Sequence, residues 1–433
     1  MTSSIPILPP LSPDEQQHSA AVAALLREAI ATAGGWLSFE RFMDMALYAP
    51  GLGYYSAGST KLGAGGDFVT APEVSDLFSR CVARQCAEVL AITGGEILEV
   101  GAGTGRMAAA VLESLAAEGV LPERYSILEV SADLAERQRE RLGSLPPVLR
   151  ERVMWLDRLP ERPIRGVVLA NEVLDALPCQ RFVLTDADGR PAAPVSSAAG
   201  VDGQVDLRGG VRPAGLARDA EVGLPRALPA VLELGVSVDG DAFVERAGPA
   251  GPALAAACES LLAELPQALP PGYTSEVCLR LESWLASVGE RLERGLVLLF
   301  DYGLPRSHYY HPQRVSGTLR CHYKQRAHDD PYINVGVQDI TAWVDFTRVA
   351  EAALAVGLEV RGFSTQAAFL LATGIERFAA EAEGIVEQTR RAGEARRLLL
   401  PGEMGEAFKA MALTRDYDAA LTGFALQDLR HSL

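Results

Sequence analysis

Apolar and polar positions divide the chain into stretches of different periodicity. Ala20 to Ala33 places apolar residues at helical spacing and stops at Gly34-Gly35, and a second short helix is expected over Phe39 to Tyr48, ahead of Pro50. Gly51 to Pro72 carries glycines at 51, 53, 58, 63, 65 and 66, too many for regular structure and over too long a span for an ordinary connector. A loop of that kind reads as functional. From Ile97 the pattern changes to short apolar runs alternating with helical segments. Strands are expected at 97–100, 125–130, 152–156, 166–170 and 295–300, and the helix after the first of them runs to about Gly119. Runs rich in Val, Ile and Leu with helices between them read as parallel βα units. Near the end the pattern predicts a helix over Ala342 to Val356, a strand over Leu358 to Phe363, a long polar helix over 375–397 and a final strand over Lys409 to Thr414.

Residues 171–294 break this rhythm, because a connecting helix needs a far shorter span. Most of that interval reads as an insertion. Its first half is rich in Gly, Asp, Val and Pro with a hairpin signal at Asp188-Gly189, and Ala253 to Leu265 and Ser275 to Leu292 have helical periodicity. The expected fold class is α/β, a Rossmann-like doubly wound, mostly parallel sheet. The chain divides into a helical and glycine-loop extension (1–92), a first core part (93–180), an inserted substrate or partner unit (181–291) between strands 4 and 5, and a second core part (292–433).

Composition narrows the function classes. With 433 residues, 48% of them hydrophobic, a sizeable core can be buried, so a small cross-linked scaffold and a mainly disordered chain are both excluded. The 40 Lys and Arg against 56 Asp and Glu leave a net charge of −16, a field that repels nucleic acid and favours basic protein partners. The six cysteines are scattered without a paired spacing, no apolar run is long enough to span a membrane, and the N-terminal residues lack signal or transit character. A cytoplasmic, reduced setting is expected, bacterial in character, and mitochondrial only for a eukaryotic source. A homodimer is left open.

The chemistry concentrates at strand ends. Glu99-Val-Gly101-Ala-Gly103-Thr-Gly105 follows a buried-type strand and opens a helix, where glycines allow close backbone approach and free helix N–H groups face an anion. The third glycine falls one residue too early for the dinucleotide fingerprint and Arg106 follows it. The loop suits the aminocarboxypropyl tail of S-adenosyl-L-methionine instead. Glu129, ending the second strand, can accept both ribose hydroxyls, and Asp157, after the third, can take the adenine amino group. The fourth strand runs into Asn171-Glu172-Val-Leu-Asp175-Ala-Leu-Pro178, placing Asn171, Glu172 and Asp175 beside the transferred group. Glu172 and Asp175, spaced i and i+3, can clamp a guanidinium. A metal site built from His308, His311, His322, His328 and Cys321 is disfavoured, because that segment is rich in Tyr and Arg and has no paired Cys.

Gly53-Tyr-Tyr55, Gly66-Asp-Phe-Val-Thr-Ala-Pro-Glu73, the 97–106 loop and Asn171 to Pro178 closely resemble the MidA-like methyltransferases, a family that includes a mitochondrial complex I assembly factor. Phe300 to Gly303, Gly317 to Leu319, Asp339 to Phe346, and Phe369-Leu370 with Gly374 extend the resemblance from about residue 20 to 420. It implies a class I fold, S-adenosyl-L-methionine as cofactor and, by its mitochondrial member, methylation of an arginine on a complex I (NADH dehydrogenase) subunit. It carries the cofactor role to Gly101, Gly103, Gly105 and Glu129, with Gly66, Asp67, Thr70 and Glu73 in a cover over the active site. The catalytic candidates are Glu172, Asp175, Asp67 and Asn171, with Glu73 and Asp301 as alternates. A non-catalytic cofactor-binding assembly factor is the rival reading, and a nicotinamide oxidoreductase is disfavoured by the glycine spacing.

Overall fold

The computed structural model describes residues 8–57, 69–186 and 229–433. Seven strands make the central sheet: β1 (Glu96–Val100), β2 (Tyr125–Leu128), β3 (Val153–Leu156), β4 (Ile164–Asn171), β5 (Leu292–Leu304), β6 (Glu359–Thr365) and β7 (Phe408–Arg415). Their spatial order is 3-2-1-4-5-7-6. Strands β1 to β5 pair in parallel, and β7 is antiparallel to both β5 and β6. The short strand Val344–Asp345 adds to the end of β5.

Helices cover both faces, so successive strand residues are buried on opposite sides. Ile97, Val167, Leu169, Leu296 and Leu298 pack on one face against helices Asp76–Thr93 and Arg106–Ala117. Leu98, Val168, Val297 and Leu299 pack on the other against helices Arg280–Arg291 and Phe346–Ala355. Each such side chain, fully buried, contributes about 1.5–3 kcal/mol. The β3 to β4 connection contains no helix.

A second, antiparallel sheet joins the insertion to the N-terminal extension. Strand Val231–Asp239 pairs with Gln180–Leu184, Ala242–Pro249 and Leu37–Ser38, and Gln180–Leu184 also pairs with Thr274–Val277. Apolar residues of helix Phe39–Tyr48, among them Phe39, Phe42 and Met43, pack under it with Val236 and Phe243.

Several expectations shift. The first helix begins at Pro13, because Ser12 and Glu15 form a reciprocal capping box ahead of the apolar run. Ser275 to Leu292 is not one helix: its start belongs to strand Thr274–Val277, held by cross-strand pairing, and the helix is Arg280–Arg291. Ala342 to Val356 begins as a strand, and Asp345 caps helix Phe346–Ala355 by accepting from the amides of Thr347 and Arg348. The polar helix over 375–397 divides into Ile375–Ala380 and Ile385–Leu399 around Gly384 at φ +78°. The hairpin signal at Asp188-Gly189 lies outside the described residues.

Where β1, β4 and β5 run side by side, Glu96, Gly166 and Gly295 share one register. Gly295 has φ +136°, and a Cβ built there would stand 1.9 Å from the Gly166 carbonyl oxygen. The Gly295→Ala substitution is expected to destabilise the protein by about 2–4 kcal/mol in urea unfolding, through strain and forced strand separation.

Candidate active site

The glycine loop is built as its sequence requires. After β1 the chain passes Gly101, Gly103 and Gly105 with φ of +67°, +53° and +77°, a region that L side chains rarely enter, and starts helix Arg106–Ala117. Gln138 binds the loop to the end of β2, its Nε2 donating to Gly103 O and to Glu129 Oε2, both at 2.9 Å. Trp155 Nε1 donates to Gln138 Oε1 at 3.0 Å, and Ser131 N donates to Glu129 Oε1 at 2.9 Å. Glu129 is thereby oriented before any ligand arrives.

The front of this loop and Glu129 border a cavity of about 400 Å³ at the C-terminal edge of the sheet. Gly101, Gly103, Glu129, Thr70, Asn171 and Glu172 all line it. Other expected residues behave differently. Gly105 is buried and packs on Gln138, so it shapes the loop from behind. Glu99 reaches the cavity's edge, but its carboxyl is buried and accepts from the Tyr125 hydroxyl at 2.7 Å. Burial pushes Glu99 up to about 7, partly offset by that hydrogen bond. Asp157, just past β3, is exposed and is not among the residues that line the cavity. Gly66 and Asp67 lie outside the described residues.

The segment after them clasps the loop. Glu73 accepts from the Thr104 hydroxyl at 2.5 Å, and Arg106 Nη1 donates to Glu73 O at 2.9 Å. Ala71 N donates to Glu172 Oε1 at 3.4 Å, so the same turn of helix (Ala71–Val74) also touches the end of β4.

Beyond β4, Glu172 takes φ +54°, an outlier for a non-glycine residue. Asn171 Nδ2 donates to its Oε1 at 3.1 Å. Asp301, at the end of β5, accepts from the amides of Val173, Leu174 and Asp175 at 3.2, 2.9 and 3.3 Å. Asp175 is buried behind the cavity wall, hydrogen-bonded to Tyr302, and its Oδ1 has no partner. Desolvation, then the charge of Asp175, pushes Glu172 up to about 8. Desolvation also raises Asp175 and Asp301, the latter further through Asp175 and Glu172.

Sequence reasoning missed several groups here. Tyr48 and Tyr55 line the cavity, as do Asp44, Arg280 and Trp284. Arg280 is held by Glu40 and Asp44 at 2.5 and 2.6 Å. Tyr55 donates to buried Asp339 Oδ1 at 2.8 Å. Tyr55 and Asp339 both lie inside motifs quoted for the family resemblance, which was the available signal. No group of His, Cys, Asp or Glu among the described residues could hold a metal ion, and all six cysteines are free. No helix among the described residues is long and apolar enough to cross a membrane.

Sheet order, antiparallel β7 and a glycine loop facing a crevice at the strand ends define a class I methyltransferase. Residues 81–364 match the family model described as S-adenosyl-L-methionine-dependent methyltransferase, and the chain belongs to that family. It is similar to a Burkholderia thailandensis protein solved bound to S-adenosyl-homocysteine, with 39% identity and a TM-score of 0.84 over 98% of this chain and 100% of that one. The Drosophila melanogaster mitochondrial protein arginine methyltransferase NDUFAF7 homolog is 26% identical over 94% of this chain and 87% of its own length. The Danio rerio protein arginine methyltransferase NDUFAF7 is 30% identical over 36% of this chain, a match spanning 42% of that relative. S-adenosyl-L-methionine is therefore the cofactor.

An acid whose folded-state pKa lies above its unfolded value keeps its proton longer in the native protein, so stability falls as pH rises between the two values. For Glu172 that window runs from 4.5 to about 8. The unliganded protein is expected to melt several degrees lower at pH 8 than at pH 5.5, and Glu172→Gln to shrink that difference, as read by calorimetric melting.

Proposed function

We propose that this methyltransferase transfers its methyl group to an arginine of a protein acceptor. The observation that carries the reading is the set of carboxyl groups at the end of the cavity: Glu172 on the wall, with buried Asp175, Asp301 and Asp339 behind it. The cavity's own arginines offer little opposition, since Arg106 pairs with Glu73 and Arg280 with Glu40 and Asp44. A cationic acceptor fits this surplus. The names of the relatives point the same way, and by the family resemblance a respiratory NADH dehydrogenase subunit is the first acceptor to test.

Bound in this cavity, the cofactor supplies an electrophilic methyl on a sulfonium. Gly101 and Gly103 would allow it close backbone approach, the N-terminus of helix Arg106–Ala117 would hold its carboxylate, Glu129 would accept its ribose hydroxyls, and Thr70 lines the same cavity. Asp157 stands exposed outside the cavity lining. Glu172 and Asn171 orient the acceptor, with Asp175 and Asp301 setting the charge behind them. Glu172 is largely protonated near pH 7 in the free enzyme, and an arriving guanidinium draws it into its charged form, because an opposite charge favours ionisation. The ionised carboxylate then holds the guanidinium in a fork and receives the proton that methylation releases. Positioning in a water-poor site supplies much of the remaining rate.

Two variants separate binding from chemistry. Glu172→Gln is expected to keep S-adenosylhomocysteine affinity while cutting methyl transfer about 100-fold or more. It should also remove the rise of kcat/KM through about pH 8 that is expected of the wild type. Gly103→Val should abolish S-adenosyl-L-methionine binding in calorimetry while the circular dichroism spectrum stays folded, because its φ of +53° and the cofactor's approach both exclude a branched side chain. Undiminished transfer by Glu172→Gln removes Glu172 from the mechanism, and unchanged affinity in Gly103→Val removes the loop from the cofactor site.

A further inference from the structure

Tyr48 closes helix Phe39–Tyr48, and Tyr55 stands in the turn that follows. Both belong to the N-terminal extension, and both line the cavity that Glu172 lines. Their rings stack, with centroids 5.4 Å apart and planes 23° from parallel. Buried Tyr54 meets Tyr55 edge-on at 5.0 Å and backs it. Both hydroxyls are committed elsewhere: Tyr48 donates to Ala176 O at 3.0 Å and Tyr55 to Asp339 Oδ1 at 2.8 Å. Held at both ends, the two rings line the cavity as a stacked pair whose hydroxyls are already used.

That surface discriminates between cations. A ring face attracts positive charge through its quadrupole, and a flat, delocalised, weakly hydrated guanidinium can stack on it over its whole plane. A lysine ammonium is compact and strongly hydrated, so it makes less of the same wall. One turn back on the same helix, Asp44 ties down Arg280, which keeps the chain's own guanidinium paired and away from that role. An aromatic wall and a carboxylate on one cavity match a planar cation in two ways at once.

We propose that Tyr48 and Tyr55 are specificity-determining residues that select arginine over lysine as the methyl acceptor. The inference rests on the arginine reading given above, and it adds that the N-terminal extension, outside the cofactor sheet, makes the choice.

The test uses the full-length protein saturated with S-adenosylhomocysteine and titrated by calorimetry with Nα-acetyl-arginine amide or Nα-acetyl-lysine amide. The wild type should bind the arginine probe about tenfold or more tighter than the lysine probe. Tyr48→Leu and Tyr55→Leu should each weaken arginine binding about 5- to 30-fold while S-adenosylhomocysteine affinity, the report on folding, stays as in the wild type. Tyr48→Phe and Tyr55→Phe, which keep the ring, should restore most of it. Arginine binding untouched in both leucine variants, or equal binding of the two probes, overturns the selection by tyrosine and leaves the arginine reading standing on Glu172. No arginine binding by the wild type, with S-adenosylhomocysteine still bound, overturns both.

Discussion

The carboxylate of Asp301 holds the reacting end of the molecule together. From the end of β5 it reaches across to three successive amides, those of Val173, Leu174 and Asp175, just after β4. A buried acid is costly unless hydrogen-bonded, and here the bonds come from a turn that would otherwise leave its own amides unpaired. Glu172 N adds a bond to Phe300 O at 2.8 Å, so Glu172 is driven into its left-handed conformation and Asp175 is folded beneath the cavity beside Tyr302. The site therefore depends on β4 and β5 staying in register. Their parallel pairing from Gly295 and Gly166 to Phe300 and Asn171 is what allows a long insertion between them without disturbing the strand ends.

The cavity is lined from different parts of the chain. The sheet contributes the glycine loop, Glu129 and the β4 end. The extension contributes Tyr48, Tyr55, Thr70 and Glu73, and helix Arg280–Arg291, which covers one face of the sheet, contributes Arg280 and Trp284. Leu37–Ser38 pairs with Val236 and Gly235, so the extension and the inserted strands share the second sheet.

The sheet was legible because its strands are short apolar runs ending at polar residues, and helix Phe39–Tyr48 because its amphipathic spacing is bounded by Ser38 and Pro50. The glycine loop was legible from its place between strand and helix. What pairs over long separations was not. Thr274–Val277 carries no strand signal of its own and becomes one through Gln180–Leu184, and Tyr55 meets Asp339 across 284 positions. Asp157 lies where it was expected along the chain, just past β3, but is exposed outside the cavity lining, which its place after a strand does not by itself decide. Helix Asp76–Thr93 went unread although Leu77, Cys81, Val82, Cys86, Val89 and Leu90 recur at helical spacing.

The claim at the centre of the account is that the acids beyond β4 present an acceptor arginine to the cofactor's methyl. Mass spectrometry of arginine methylation in cells with and without this gene tests it most directly, starting with NADH dehydrogenase subunits. The account predicts a methylated arginine that disappears with the gene and returns when the wild-type chain is restored, but not when Glu172→Gln is. An unchanged set of methylated arginines, with methyl transfer from the purified enzyme appearing on another residue type or on a small molecule, contradicts it.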